Sequence, residues 1–168
     1  MKNLISSFAV IAASLGFATG AQAATATSTL NVSFTSLTSC TVTTLPVDFG
    51  SGTGLSGAAG NGDVTVNCSS GIPYNVALDF GLHYNIVGAG YRAVSDGINA
   101  RMYRLFMDNV FGTQWGDSDF ANTYPGGASV ADTGSGAAQP HTVYGWLESG
   151  IVLPAGTYSD TVTVTVNY

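Results

Sequence analysis

Charge is what this sequence has least of. Of 168 residues only 8% are charged, and Lys2 is the sole lysine. If residues 1–23 are removed on export, Arg92, Arg101 and Arg104 stand against ten carboxylates, a net charge of −7. An acidic chain without lysine has no Schiff-base amine, no phosphate-gripping lysine and no basic stripe, which argues against nucleic-acid binding. Past position 23 no apolar run approaches the ~18 residues that span a bilayer, so no transmembrane segment is expected. There are two cysteines, too far apart for a CxxC redox pair. Low charge does not mean disorder here, because 45% of the residues are hydrophobic.

What is present begins with an export signal. Met1-Lys2-Asn3 precedes an apolar run from Leu4 to Phe17, and Ala21-Gln22-Ala23 has the small-x-small form of a cleavage site. The expected organisation is a signal peptide over 1–23, an N-terminal arm over 24–39 and one β-domain over 40–168. In an exported chain, Cys40 and Cys68 are expected to form a disulfide.

Two segments alternate with a two-residue period. In the arm, Ala26, Ser28, Leu30, Val32 and Phe34 hold the even positions, while Thr25, Thr27, Thr29, Asn31, Ser33 and Thr35 hold the odd ones. At the other end Val162, Val164, Val166 and Tyr168 alternate with Thr161, Thr163, Thr165 and Asn167. Such a pattern makes a strand apolar on one face and hydroxyl-rich on the other. Further strands are expected at about 41–49, 62–69, 73–80, 101–108 and 141–148. Gly-rich connections are expected at 50–62, 81–97 and 112–136. No helical repeat extends over several turns. The expected fold is an all-β, antiparallel, immunoglobulin-like sandwich.

The arm lies wholly before Cys40, and the sequence ends inside its last alternating strand. One arrangement accounts for both: the sandwich lacks a closing strand, and another copy's arm supplies it by β-strand addition. The competing reading, an ordinary first strand of a complete sandwich, is the one periodicity alone favours.

A family resemblance reverses that preference. The closing stretch Val143-Tyr144-Gly145 and Leu153-Pro154-Ala155-Gly156-Thr157-Tyr158 through Tyr168 resembles the end of a spore coat protein U domain. Subunits of archaic, Csu-type chaperone–usher pili share that domain. Cys40-Thr41-Val42, Val64-Thr65-Val66-Asn67-Cys68, Pro73-Tyr74-Asn75-Val76-Ala77-Leu78, Tyr103-Arg104-Leu105-Phe106-Met107-Asp108 and Trp115-Gly116-Asp117 are similar to it in the same order. The resemblance implies an incomplete immunoglobulin-like pilin, held by a periplasmic chaperone until an outer-membrane usher assembles it into a surface pilus. Ala26, Ser28, Leu30, Val32 and Phe34 match the family's donor strand. Residues 158–168 match its last strand, so Val162, Val164, Val166 and Tyr168 would form one edge of the acceptor groove. The carboxylate of Tyr168 would meet basic chaperone residues. A single domain with an arm reads as a rod or adaptor subunit, non-enzymatic and without cofactor, joined to copies of itself or related pilins for adhesion and biofilm formation. Trp146-Leu147, and Ser118 after Trp115-Gly116-Asp117, depart from the family's usual residues. A spore or cyst coat component, and a self-completed carbohydrate-binding sandwich, are the alternatives.

Other motifs carry less. Gly52-Thr53-Gly54-Leu55-Ser56-Gly57 matches GxGxxG, but a strand pattern follows where a helix is required. Asp117 and Asp119 lack the setting of a calcium loop and read as turn residues. His83 and His141 have no GxSxG elbow beside them, and they do not complete a recognisable metal-ligand set. Asn31-Val32-Ser33 and Asn67-Cys68-Ser69 match the glycosylation sequon but fall in expected strands. Aromatics in the 103–124 region could form a sugar-binding or apolar surface, although core packing is their ordinary role.

Overall fold

The β-branched, two-residue alternation of this chain folds as β-strands in the body of the protein. The computed structural model describes residues 25–88, 90–117, 127–150 and 152–168. The chain divides into two units, residues 1–35 and residues 36–168. The proposed signal lies outside the described residues. Within the first unit, residues 25–35 form no ladder, and Leu30, Val32 and Phe34 are 88%, 86% and 90% exposed.

The second unit is built from eight strands: β1 Cys40–Leu45, β2 Ala58–Cys68, β3 Pro73–Leu78, β4 Arg92–Ser95, β5 Ala100–Phe106, β6 Val130–Thr133, β7 Gln139–Leu147 and β8 Val164–Asn167. They form a five-stranded sheet in the order β1-β2-β7-β5-β4 and a three-stranded sheet in the order β6-β3-β8. All pairings between these strands are antiparallel. Alternate residues of each sheet point inward and meet as one core. Val64, Val66 and Cys68 come from β2, Tyr74, Val76 and Leu78 from β3, Tyr103 and Leu105 from β5, and Val143 from β7. Trp115 completes this core with no exposed surface, and its Nε1 donates to the Val76 carbonyl at 2.9 Å. Cys40 and Cys68 are register partners across β1–β2 and are joined as a disulfide. No helix among the described residues is long and apolar enough to cross a membrane.

The strands expected near 62–69, 73–80, 101–108 and 141–148 are present with shifted ends. β2 starts inside the connection expected at 50–62. The first strand stops at Leu45, because Pro46 has no amide to continue the ladder. β5 ends at Phe106, after which the Asp108 carboxylate takes the amides of Val110, Gly112 and Thr113 and closes a turn. Two short strands, β4 and β6, lie in stretches expected to be Gly-rich connections. Each is four residues long, below the length at which alternation is legible. The last strand is narrower than its sequence pattern, with ladder pairing only over Val164–Asn167.

Candidate functional site

The two sheets do not close over one another along their whole length. Between them runs a groove of about 1120 Å³, opening beside the segments 44–54 and 153–164. Its floor is the core itself: Leu78, Val94, Tyr103, Leu105, Val143 and Leu147 line it. One wall carries Val162 and Val164, the other Val47 and Phe49, and all four pack only partly buried against the core. A sandwich normally covers such side chains with a strand. β8 pairs with β3 on one edge, and among the described residues no strand pairs with its other edge.

The groove-side segment ahead of β8 is held by side chains and a few isolated backbone bonds in place of a continuous ladder. Asp160 falls in the inward phase of the alternation with Val162, Val164 and Val166. Its side chain is only 3% exposed. The Tyr103 hydroxyl donates to Asp160 Oδ2 at 2.7 Å, and the His83 backbone amide donates to Oδ1 at 3.1 Å. His83 Nδ1 lies at 3.1 Å from the same oxygen. Leu82 donates its amide to the Thr161 carbonyl, while the Asp79 carboxylate accepts the amides of Thr163 and Gly81. An isolated antiparallel bridge between Ser95 and Ser159 ties the segment to β4.

Beneath this lies Arg92, 1% exposed, which donates to the carbonyls of Leu78, Asp79 and Trp115. Burial lowers its pKa to about 10, while Tyr103, Asp79, Asp117 and Asp160 work to raise it. It therefore remains a cation at neutral pH. Burial, followed by the bond to Asp160, pushes the Tyr103 hydroxyl far above the ordinary phenol range, so it stays a donor. For Asp79, burial works upward but the Thr163 and Gly81 bonds and Arg92 outweigh it, and its pKa is lowered.

Of the residues expected to matter, Val164 and Val166 lie on β8 and Val162 just ahead of it, and all three pack against the core. Tyr168 is 61% exposed. Ala26, Ser28, Leu30, Val32 and Phe34 are all exposed within the first unit. Asp117 lines a small depression with Asp79, Asn75 and Thr165, while Asp119 lies outside the described residues. His83 and His141 are not brought together: His83 meets Asp160, and His141 meets Tyr74. Gly52–Gly57 runs into strand β2, as its sequence context required. Of the aromatics, Phe106 meets Phe111 edge-on and Phe111 lies tilted against Trp146, with ring centroids 5.2 and 5.5 Å apart, while Phe120 and Tyr124 lie outside the described residues. Sequence reasoning passed over Asp160, Tyr103, Arg92 and Phe49. For Asp160 a signal existed: a carboxylate in the apolar phase of an otherwise alternating strand. Among the described residues no three His, Cys, Asp or Glu side chains gather as a metal-ligand cluster.

An antiparallel immunoglobulin-like sandwich whose core lies open along one groove is the class of protein that these features define. The Spore Coat Protein U domain model matches residues 26–165, and the chain belongs to that family. This is a family of structural subunits, not of enzymes. A solved structure, the CsuC-CsuE chaperone-tip adhesion subunit pre-assembly complex from archaic chaperone-usher Csu pili of Acinetobacter baumannii, is similar at 22% identity with a TM-score of 0.53. The match covers 79% of this chain and 40% of that one, so this chain spans about two fifths of its relative's length. The E. coli Hda pilus minor tip subunit, HdaB, aligns at 18% identity over 75% of this chain and 79% of its own, with a TM-score of 0.41. No curated protein matches.

Proposed function

We propose that the mature chain, from residue 24, is a rod or adaptor subunit of a chaperone–usher pilus, and that it polymerises by donor-strand exchange. The observation that carries this reading is the open groove between the sheets, bounded by a β8 edge that no described strand occupies. A strand from residues 24–39 of a second copy fits that vacancy chemically. It alternates Ala26, Ser28, Leu30, Val32 and Phe34 on one face, with hydroxyl-bearing residues on the other. Backbone pairing with β8 gives affinity without sequence preference, and the alternate side chains give register. Full burial of Leu30, Val32 and Phe34 together contributes about 5–9 kcal/mol. Because donor and acceptor surfaces are different patches, the contact is head-to-tail and extends into a filament.

Before assembly the same groove needs a temporary occupant. A periplasmic chaperone strand fills that role, with the Tyr168 carboxylate as an anchoring point, and an outer-membrane usher exchanges it for the next subunit's arm. The filament stands on the cell surface and serves adhesion and biofilm formation. The testing experiment is an unheated, non-reducing SDS gel of material sheared from intact producing cells. Strand-joined polymers resist cold detergent, since a whole strand must unpair before subunits part. A ladder stepping by one mature subunit and collapsing on boiling is expected, and Leu30→Asp with Phe34→Asp abolishes it. A single monomer band from the unsubstituted protein, or an undiminished ladder from the double variant, overturns the proposal.

A further inference from the structure

The strand pairings give the sandwich two unlike ends. At one, the register partners Cys40 and Cys68, Pro73 and Thr133, and Asn75 and Asn167 lie together, joined by backbone bonds of Gly134 and Gly136. The mouth of the groove is at the other end. There Leu153 donates its amide to the Thr53 carbonyl and Gly150 donates to that of Leu55, while Ser95, beside the β4–β5 turn, bridges Ser159. This end carries an apolar rim: Leu55 and Val152 are exposed, and Ile98 in the β4–β5 turn is 94% exposed. We propose that, when the donor strand of a second copy fills the groove, that copy's Leu37 seats on the rim of Leu55, Ile98 and Val152. The contact rests on the donor-strand reading above and carries the interface beyond the groove.

The direction of the donor follows from where the groove has room. Tyr158, Asp160, Val162 and Val164 line it, and Val166 does not. In the arm the small positions, Ala26 and Ser28, come first and the bulky ones, Leu30, Val32 and Phe34, come last. An antiparallel donor sets its bulky half against residues 158–164 and its small half toward Val166, whereas a parallel donor does the reverse. The antiparallel strand leaves the groove at the mouth, and the chain beyond it enters its own body at Cys40. The Cys40 end of one copy therefore faces the mouth of the next, the head-to-tail repeat that an open filament requires.

Chain length makes that approach close. From Phe34 to Cys40 is six steps along the chain, which span at most about 20 Å when fully extended. Ser39 is already fixed to its own body, since it donates to the Ser69 hydroxyl and accepts the Ser69 amide. Leu37 sits midway, the one apolar side chain between Phe34 and Cys40, and it is 83% exposed. Its odd number takes it out of the phase that faces the groove, so it is not a further groove residue. Ser36, Thr38 and Ser39 around it are hydroxylic. The rim is the apolar surface that meets it as the two bodies close, and removing these side chains from water favours the contact.

The test uses filaments sheared from producing cells that carry Leu37→Cys together with Ile98→Cys or Val152→Cys, mildly oxidised while intact. A ladder that survives boiling without reductant and collapses with it is expected, and no single variant gives one. Leu37→Ser and Ile98→Ser, both at exposed positions, are expected to speed loss of the cold-detergent ladder about three- to tenfold, as partial burial of one aliphatic side chain implies. A cold ladder from the unsubstituted protein with no boil-stable product from either cysteine pair, or unchanged ladder lifetimes in both serine variants, overturns the rim contact and leaves donor-strand exchange standing. A boil-stable ladder from Leu37→Cys with Asn167→Cys, and none with the rim pairs, overturns the antiparallel direction and the contact with it. Absence of a cold ladder from the unsubstituted protein overturns the donor-strand reading itself.

Discussion

Replacing Asp160 with alanine is expected to loosen the groove edge by about 3–4 kcal/mol. The carboxylate accepts three bonds, from the Tyr103 hydroxyl, the His83 amide and the His83 ring, while its side chain is 3% exposed. A hydrogen bond to a charged group contributes roughly 1.5–3 kcal/mol, and an orphaned buried donor costs roughly 1–3 kcal/mol. Tyr103 is 5% exposed, so its hydroxyl has little access to water once Asp160 is gone. Against this, the variant is spared the cost of keeping a carboxylate out of water, which brings the sum of these terms down to the stated range. Asp160→Asn is the informative partner. Its amide donates to the Tyr103 oxygen and its carbonyl accepts from His83, so the expected cost is only about 1–2 kcal/mol. The assay is urea unfolding of the sandwich complemented with a peptide spanning residues 24–39, analysed from midpoint and slope. If Asp160→Ala unfolds within about 0.5 kcal/mol of the unsubstituted protein, the size of an ordinary surface change, the Asp160 cluster does not hold the edge.

Gly145→Ala would bring a methyl group to 2.6 Å from Val47 Cγ1 and 2.8 Å from a Phe49 ring carbon. Overpacking of this kind costs about 1–3 kcal/mol, and displacing Phe49 from Tyr103 should lower peptide affinity in titration calorimetry. Arg92→Lys retains the charge but cannot reach the carbonyls of Leu78, Asp79 and Trp115 together. A loss of about 3 kcal/mol or more in urea unfolding is expected, since buried acceptors are left bare. Asp79 sets part of the acid limb. Its folded pKa lies below the ordinary 3.8, so its stabilisation is fully present above pH 3.8 and is lost as pH falls through the lower folded value. Asp79→Asn should therefore flatten acid unfolding below pH 3.8 and leave the neutral range to other groups.

How legible the fold was depended on whether a segment's alternation faced one core. The runs Val64–Val66–Cys68 and Tyr74–Val76–Leu78 bury every second residue, so their strands could be placed from sequence alone. β4 and β6 were invisible because four residues, one of them a buried arginine, do not make a pattern. Gly145 belongs to the closing stretch that carries the family resemblance, but its reason is tertiary: Val47 and Phe49, far earlier in the chain, occupy the space its side chain would need. Tyr74 and His141 are likewise 67 residues apart, on strands of different sheets. No local pattern records such a meeting, because topology makes it.

Asp160 shows how sequence economy and assembly are linked. A chain with so few charges has little cause to place one on the apolar phase of its last strand, where an unpaired carboxylate is costly. There it engages donors from β5 and from the 79–83 loop, so it fastens the body side of the segment while the opposite backbone edge of β8 remains unpaired among the described residues. A valine at that position would add apolar surface but leave Tyr103 and the His83 amide without their acceptor. The segment would then keep its backbone bonds to Ser95 and Leu82 but lose the side-chain anchor that sets the wall of the groove. Asp160→Val is accordingly expected to lower affinity for the 24–39 peptide more than Asp160→Asn does, with the order measured by calorimetry. The reverse order would mean that apolar content, and not an edge held open, governs occupancy of the groove.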